Sequence, residues 1–84
     1  AMPEKNIRAY RARKHHAERR AYQRHGIDLT AEEYRALGNQ IERQRATRVR
    51  KLTNTRSEYI VICRGEPLKV VYSHQTKQIV TVLP

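Results

Sequence analysis

Apolar and polar positions along this 84-residue chain divide it into a helical first half and a stranded second half. Residues 4–25 contain no Gly or Pro and are rich in Ala and Arg, both good helix formers. Ile7, Tyr10, Ala17 and Ala21 recur at helical spacing, a thin apolar stripe that predicts a helix from about residue 8 to 25. Residues 1–7 are expected to form a flexible basic arm, with Ala1 ahead of Met2 set aside as a residue left by tag cleavage. Gly26 follows where a left-handed helix cap is wanted. Thr30 with Glu33 three residues on is a capping box, and Leu29 can staple onto Tyr34. The second helix is then predicted over about 31–45, with Tyr34, Leu37 and Ile41 facing the core.

Beyond residue 46 the period changes. Residues 47–53 predict a strand with few apolar groups, placed at a sheet edge, followed by a turn at Asn54-Thr55-Arg56. Glu58–Arg64, Leu68–Tyr72 and Ile79–Leu83 predict three more strands, joined through Gly65-Glu66-Pro67 and Ser73–Gln78. Such short connections imply an antiparallel meander. Simple alternation would place Ile79, Thr81 and Leu83 on one face of the last strand, and Val80 and Val82 on the other. The fold class expected is α+β: two N-terminal helices packed on a four-stranded antiparallel β-sheet, one domain over 1–84. The chain has neither Trp nor Phe, so Tyr, Ile, Val and Leu must supply the core.

Composition adds a direction. Eighteen Lys and Arg face eight Asp and Glu, a net charge of +10. Residues 1–26 hold eight of the cations against two acids, and residues 47–84 hold seven against two. Residues 27–46 are nearly balanced, so the charge is placed at the two ends rather than spread. Most cations are arginine, whose planar fork suits phosphate. Polyanion binding is the first expectation, and a merely solvated basic surface the other. The longest apolar run, Tyr59–Cys63, is too short to span a bilayer, and no apolar stretch makes a secretory signal. A lone Cys63 excludes an internal disulfide and fits a reducing compartment, so a soluble cytoplasmic domain without membrane partner is expected.

Candidate chemistry centres on the first helix. His15 and His16 are about 100° apart around it, so only one can face a given site. That one is His16 if Ala17 and Arg20 mark the sheet-facing side. An imidazole can serve as acid or base near neutral pH, and Arg20 and Arg24 follow it along one stripe. The alternative is that all of these are solvated helix residues. Thr81 is either a lone hydroxyl aimed at a site or a strand threonine satisfied locally. Tyr59 and Tyr72 are read as packing residues rather than base-stacking platforms, and Cys63 as a small buried hydrophobe. No His-x-x-x-His pair or second cysteine suggests a metal, and no phosphate loop suggests a cofactor, so neither is expected.

The segment His16-Ala17-Glu18-Arg19-Arg20-Ala21-Tyr22-Gln23-Arg24-His25-Gly26-Ile27 resembles the opening helix of small phage and bacterial proteins with a His-Ala-x-x-Arg…Arg-x-Gly-Ile pattern. The ending Val70-Val71-Tyr72…Thr76-Lys77-Gln78-Ile79-Val80-Thr81-Val82-Leu83-Pro84 is similar to theirs. These belong with the barnase/EndoU/colicin/RelE-like class of small ribonuclease folds, and the resemblance spans roughly residues 16–84. It implies His16, Arg20 and Thr81 as active-site groups. Arg11, Arg13, Lys14, Arg24 and Arg64 are the candidate nucleic-acid contacts. The function expected is RNA binding by a phage or mobile-element protein. A toxin-like, metal-independent endoribonuclease would leave 2′,3′-cyclic phosphate ends. The alternative is a non-catalytic binder or phage inhibitor docking on a host ribonucleoprotein, and a neutralising partner protein is a further expectation.

Overall fold

The computed structural model of the protein describes residues 4–84, and their side chains from Arg11 onward. It is an α+β fold in the expected order: α1 (Glu4–His25), α2 (Ala31–Glu42), β1 (Thr47–Lys51), β2 (Arg56–Cys63), β3 (Glu66–Ser73) and β4 (Gln78–Val82). The strands form an antiparallel sheet in sequence order, β1-β2-β3-β4. The first helix starts earlier than its apolar stripe suggests. Residues 4–7, expected in the basic arm, are its first turn, and residues 1–3 lie outside the described residues.

Gly26 takes the left-handed conformation (φ 66°), and its N–H donates to Tyr22 O at 2.9 Å, ending α1 as expected. The capping box of α2 is complete: Thr30 Oγ1 accepts from Glu33 N at 3.1 Å and Glu33 Oε1 accepts from Thr30 N at 3.0 Å. This helix ends at Glu42, three residues short of the predicted end, because Gln44 turns left-handed (φ 58°). Gln44 N then bonds Ile41 O at 3.1 Å and Arg45 N bonds Gln40 O at 2.7 Å, the paired bonds of a Schellman motif.

The core lies between the helices and one face of the sheet. Ala17 and Ala21 of α1 are fully buried, and α1 packs chiefly along β4, a strand at the edge of the sheet. Two methyl groups at the contact let the helix approach closely. Tyr34, Leu37 and Ile41 of α2 meet Val61, Cys63, Leu68, Val70, Tyr72, Ile79 and Val82. Cys63 is a free thiol whose pKa burial pushes up, and it packs as an apolar residue.

A bulge between Val71 and Tyr72 corrects the expected alternation of the last strand. Val82 pairs with Val70 and Ile79 with Tyr72, so both join the core. Thr81 pairs with Val71 on the opposite face and is half-buried.

Two local devices hold β2. Ile62 lies past the end of β1, and the Gln40 carboxamide stands in for the missing strand. Gln40 Oε1 accepts from Ile62 N at 2.8 Å, and Gln40 Nε2 donates to Ile62 O at 2.7 Å. The β2–β3 turn is only Arg64-Gly65, shorter than predicted, with φ of 54° and 79° as a type I′ hairpin requires. Pro67 accordingly sits inside β3, opposite Ile62.

Arg64 then clamps the turn to α2. Its Nε and Nη2 donate to the two oxygens of Glu33 at 2.8 and 2.9 Å, and Nη2 also donates to Asp28 O at 2.8 Å. The Arg64 hydrogen bonds, helped by the Thr30 N–H, pull the Glu33 carboxyl from 4.5 down to about 2. A depressed folded-state pKa stabilises the fold fully above pH 4.5, and that contribution fades as pH falls toward 2. Glu33→Gln is therefore expected to melt below wild type at pH 7, with the gap closing across that acid window. A gap that stays constant in melts at successive pH values would show that the ionised pair contributes nothing.

Candidate nucleic-acid interface

Neither helix packs extensively on β1, whose five residues are all exposed. Past the end of α2 the helix-facing side of the sheet therefore lies open. Residues paired across antiparallel strands project from the same face. Ser57 pairs with Tyr72, and Tyr59 lies two residues on from Ser57, so all three face this opening. His74 joins them from the β3–β4 turn. The result is a cavity of about 500 Å³ lined by Ile41, Glu42, Gln44, Tyr59, Tyr72, His74 and Lys77.

Its floor is a cluster of three rings packed edge to face. Centroids lie 6.1 Å apart for Tyr59–Tyr72, 6.0 Å for Tyr59–His74 and 5.3 Å for Tyr72–His74. Tyr72 is buried, and its hydroxyl donates to Glu42 Oε1 at 3.1 Å. Burial, then the hydrogen bond to Glu42, pushes the phenol pKa up, so Tyr72 remains a donor across the physiological range. His74 Nε2 lies 3.2 Å from Ser57 Oγ, and its backbone N–H donates to Thr55 O at 2.6 Å. That second bond ties the β3–β4 turn to the β1–β2 turn. Gln44 and Lys77, both liners of the cavity, hold left-handed backbone (φ 58° and 56°) at a cost of about 1–2 kcal/mol each.

Cations border this opening. Arg48 pairs with Tyr59 and Lys51 with Ser57, and a bulge at Val49 keeps both on the open face. Arg50 pairs with Glu58, and its Nε contacts Glu58 Oε1 at 3.2 Å. Lys77 lines the cavity itself. Glu42 has no cation within ion-pair distance among the described residues. The arrangement offers flat apolar faces, a carboxylate acceptor and three exposed cations in one place.

The residues singled out from sequence lie elsewhere. His16 and Arg20 are half-buried on α1 and Thr81 is half-buried on β4; all three belong to packed neighbouring elements, and none lines the cavity. His16 has no hydrogen-bond partner among the described residues. His15 is 71% exposed, 3.8 Å from Glu18, confirming that the two imidazoles take different sides of the helix. Arg20 bonds Gln23 Oε1 at 3.1 Å.

Of the expected nucleic-acid contacts, Arg11 is exposed. Arg13 reaches Gln78 Oε1 at 3.5 Å and Lys14 lies 3.6 Å from Glu18. Arg24 donates to Val82 O at 2.8 Å, and Arg64 is held by Glu33.

Sequence reasoning missed the cavity residues Glu42, Tyr59, His74 and Lys77 as a group. The alternation of Tyr72 with His74, and of Ser57 with Tyr59, was the available signal. It needed the β2–β3 register to become a site. No helix among the described residues is long and apolar enough to cross a membrane. No protein-family model, curated protein or solved structure matches this chain.

Proposed function

We propose that this protein binds RNA, an unstacked base entering the Tyr59–Tyr72–His74 cavity while nearby cations hold the phosphates on either side. The observation that carries this reading is the juxtaposition of an open aromatic floor with Arg48, Lys51 and Lys77 in a chain of net charge +10. Sequence-selective RNA binding works largely on single-stranded loops and ends, whose bases can leave the stack and lie on aromatic side chains. Such stacking is worth about 1–3 kcal/mol per base. Phosphate neutralisation adds an affinity that depends on salt. The same surface would serve against bare RNA or against RNA displayed by a ribonucleoprotein.

A second reading, metal-independent RNA cleavage, is favoured by one observation: the imidazole of His16 is free of hydrogen-bond partners among the described residues, on the helix that packs along β4. In that reading His16 exchanges a proton with the ribose 2′-OH or the leaving oxygen, Arg20 neutralises the phosphate and Thr81 orients it. The 2′-oxygen attacks the adjacent phosphorus, the bond to the 5′-oxygen breaks, and a 2′,3′-cyclic phosphate remains. Positioned proton transfer of this kind contributes about 10²–10⁴ in rate.

Binding is tested by a salt series with single-stranded RNA. Tyr59→Leu is expected to weaken affinity by roughly ten- to hundredfold while leaving the salt slope unchanged. Arg48→Ala with Lys51→Ala is expected to flatten that slope by about two. Failure to bind RNA at about 50 mM salt, where phosphate contacts are strong, would sink the proposal.

Cleavage is tested separately, with end-labelled RNA in chelator. His16→Ala is expected to abolish cyclic-phosphate products and to leave affinity nearly intact, with His15→Ala as the control. RNA that stays intact with wild-type protein removes the catalytic reading and leaves the binding one. Loss of cleavage in His15→Ala but not His16→Ala would overturn the assignment of the helix face.

A further inference from the structure

We infer that the cavity at the end of α2 is selective for guanine, with Glu42 reading the base edge; the inference rests on the RNA-binding proposal and names its preferred base. Tyr72 donates to Glu42 Oε1 at 3.1 Å, which fixes the carboxylate at the wall of the cavity. An ionised carboxylate has about four acceptor positions and no donor, and the Tyr72 bond uses one of them. With no cation in ion-pair contact among the described residues, the other positions remain available to a ligand. An acceptor-only group beside a stacking floor selects for a base that presents adjacent donors.

Guanine alone among the four RNA bases does so. Its Watson–Crick edge carries N1–H and N2–H side by side, matching the two oxygens of a carboxylate. Adenine and cytosine each offer one amino group next to a ring-nitrogen acceptor, whose lone pair would face Glu42. Uracil offers one N–H between two carbonyls. Guanine O6, next to N1–H, needs a donor, and the side chains of Gln44 and Lys77 line the same cavity. A volume of about 500 Å³ falls within the range of small-ligand sites. The acid therefore has a role here that a purely phosphate-binding surface would not require. Near a polyanion a carboxylate weakens attraction, so its presence is explained by what it accepts from the base.

The test uses four heptanucleotides, UUUGUUU, UUUAUUU, UUUCUUU and UUUUUUU, measured by fluorescence anisotropy with the full chain. The guanine-containing strand is expected to bind about ten- to hundredfold more tightly than the others, the discrimination typical of a bidentate base contact. Glu42→Gln keeps an oxygen for the Tyr72 hydroxyl but turns an amide N–H toward the base. It is expected to erase the guanine preference and favour adenine or cytosine, leaving affinity for UUUUUUU within about twofold, since stacking and phosphate contacts are retained. Thermal melts of the variant establish that it folds, and if it does not, the wild-type base series decides. Equal, measurable binding of all four strands by wild type overturns the guanine inference while RNA binding stands. No binding of any strand overturns both. A guanine preference that survives Glu42→Gln overturns the assignment to Glu42.

Discussion

Backbone carbonyls on an edge strand need donors once helices shield them from water, and β4 receives its donors from both helices. Tyr34 Oη donates to Ile79 O at 2.7 Å from α2. Arg24 Nη1 reaches Val82 O at 2.8 Å from α1, and His25 Nε2 reaches Leu83 O at 2.7 Å in the tautomer that carries its proton there. These bonds, with Ala17 and Ala21 packed along the strand, fix the helices to the β4 side of the sheet. Because the helical layer is anchored there, it covers the sheet unevenly. The β1 side is left open, and the aromatic cavity is the place where the covering stops. A third helix or a longer α2 would bury Tyr59 and close the site.

That dependence explains what was legible in the sequence. Capping signals act over a few residues, so Gly26 and the Thr30–Glu33 box could be read directly and were found in place. The order of helices and strands followed from periodicity. The two failures in strand phase have one cause: a bulge is invisible to alternation counting, and β4 contains one that moves Thr81 off the face of Ile79. The cavity was harder still. Its residues come from positions 41 to 77, and their convergence depends on register and on where α2 terminates. Gln44 ends α2 by a left-handed turn usually given to Gly, so no sequence cue marked it.

Charge proved a less direct guide than composition suggested. Arginine in this chain has two kinds of work. Arg24 and Arg64 satisfy backbone carbonyls and a carboxylate, so their forks are already occupied in the fold. Their charge still contributes to the overall field, which falls off over about 10 Å at 0.1 M salt. Arg48, Lys51 and Lys77 are exposed beside the rings, where a phosphate can be met at contact distance. The distinction matters because neutralising a structural arginine removes a hydrogen-bond donor from the fold as well as a charge. Such a variant would lose affinity through stability, and only the salt slope separates the two effects.

A basic surface alone draws any polyanion, and the energy it supplies is nearly indifferent to sequence. Discrimination has to come from groups that respond to base chemistry, and these are expensive to leave unsatisfied when no ligand is bound. The cavity meets that constraint through partial satisfaction. Tyr72 gives Glu42 one buried donor, His74 pairs with Ser57, and the remaining polar atoms of Glu42 and Lys77 face water in an open pocket. The site is thus ordered without a ligand but not saturated. Its rings are fixed by packing against one another, so little conformational entropy remains to be lost when a base enters. In this reasoning the aromatic cluster serves the free protein as a core extension and the complex as a stacking floor, which is why its residues looked like packing groups from the sequence alone.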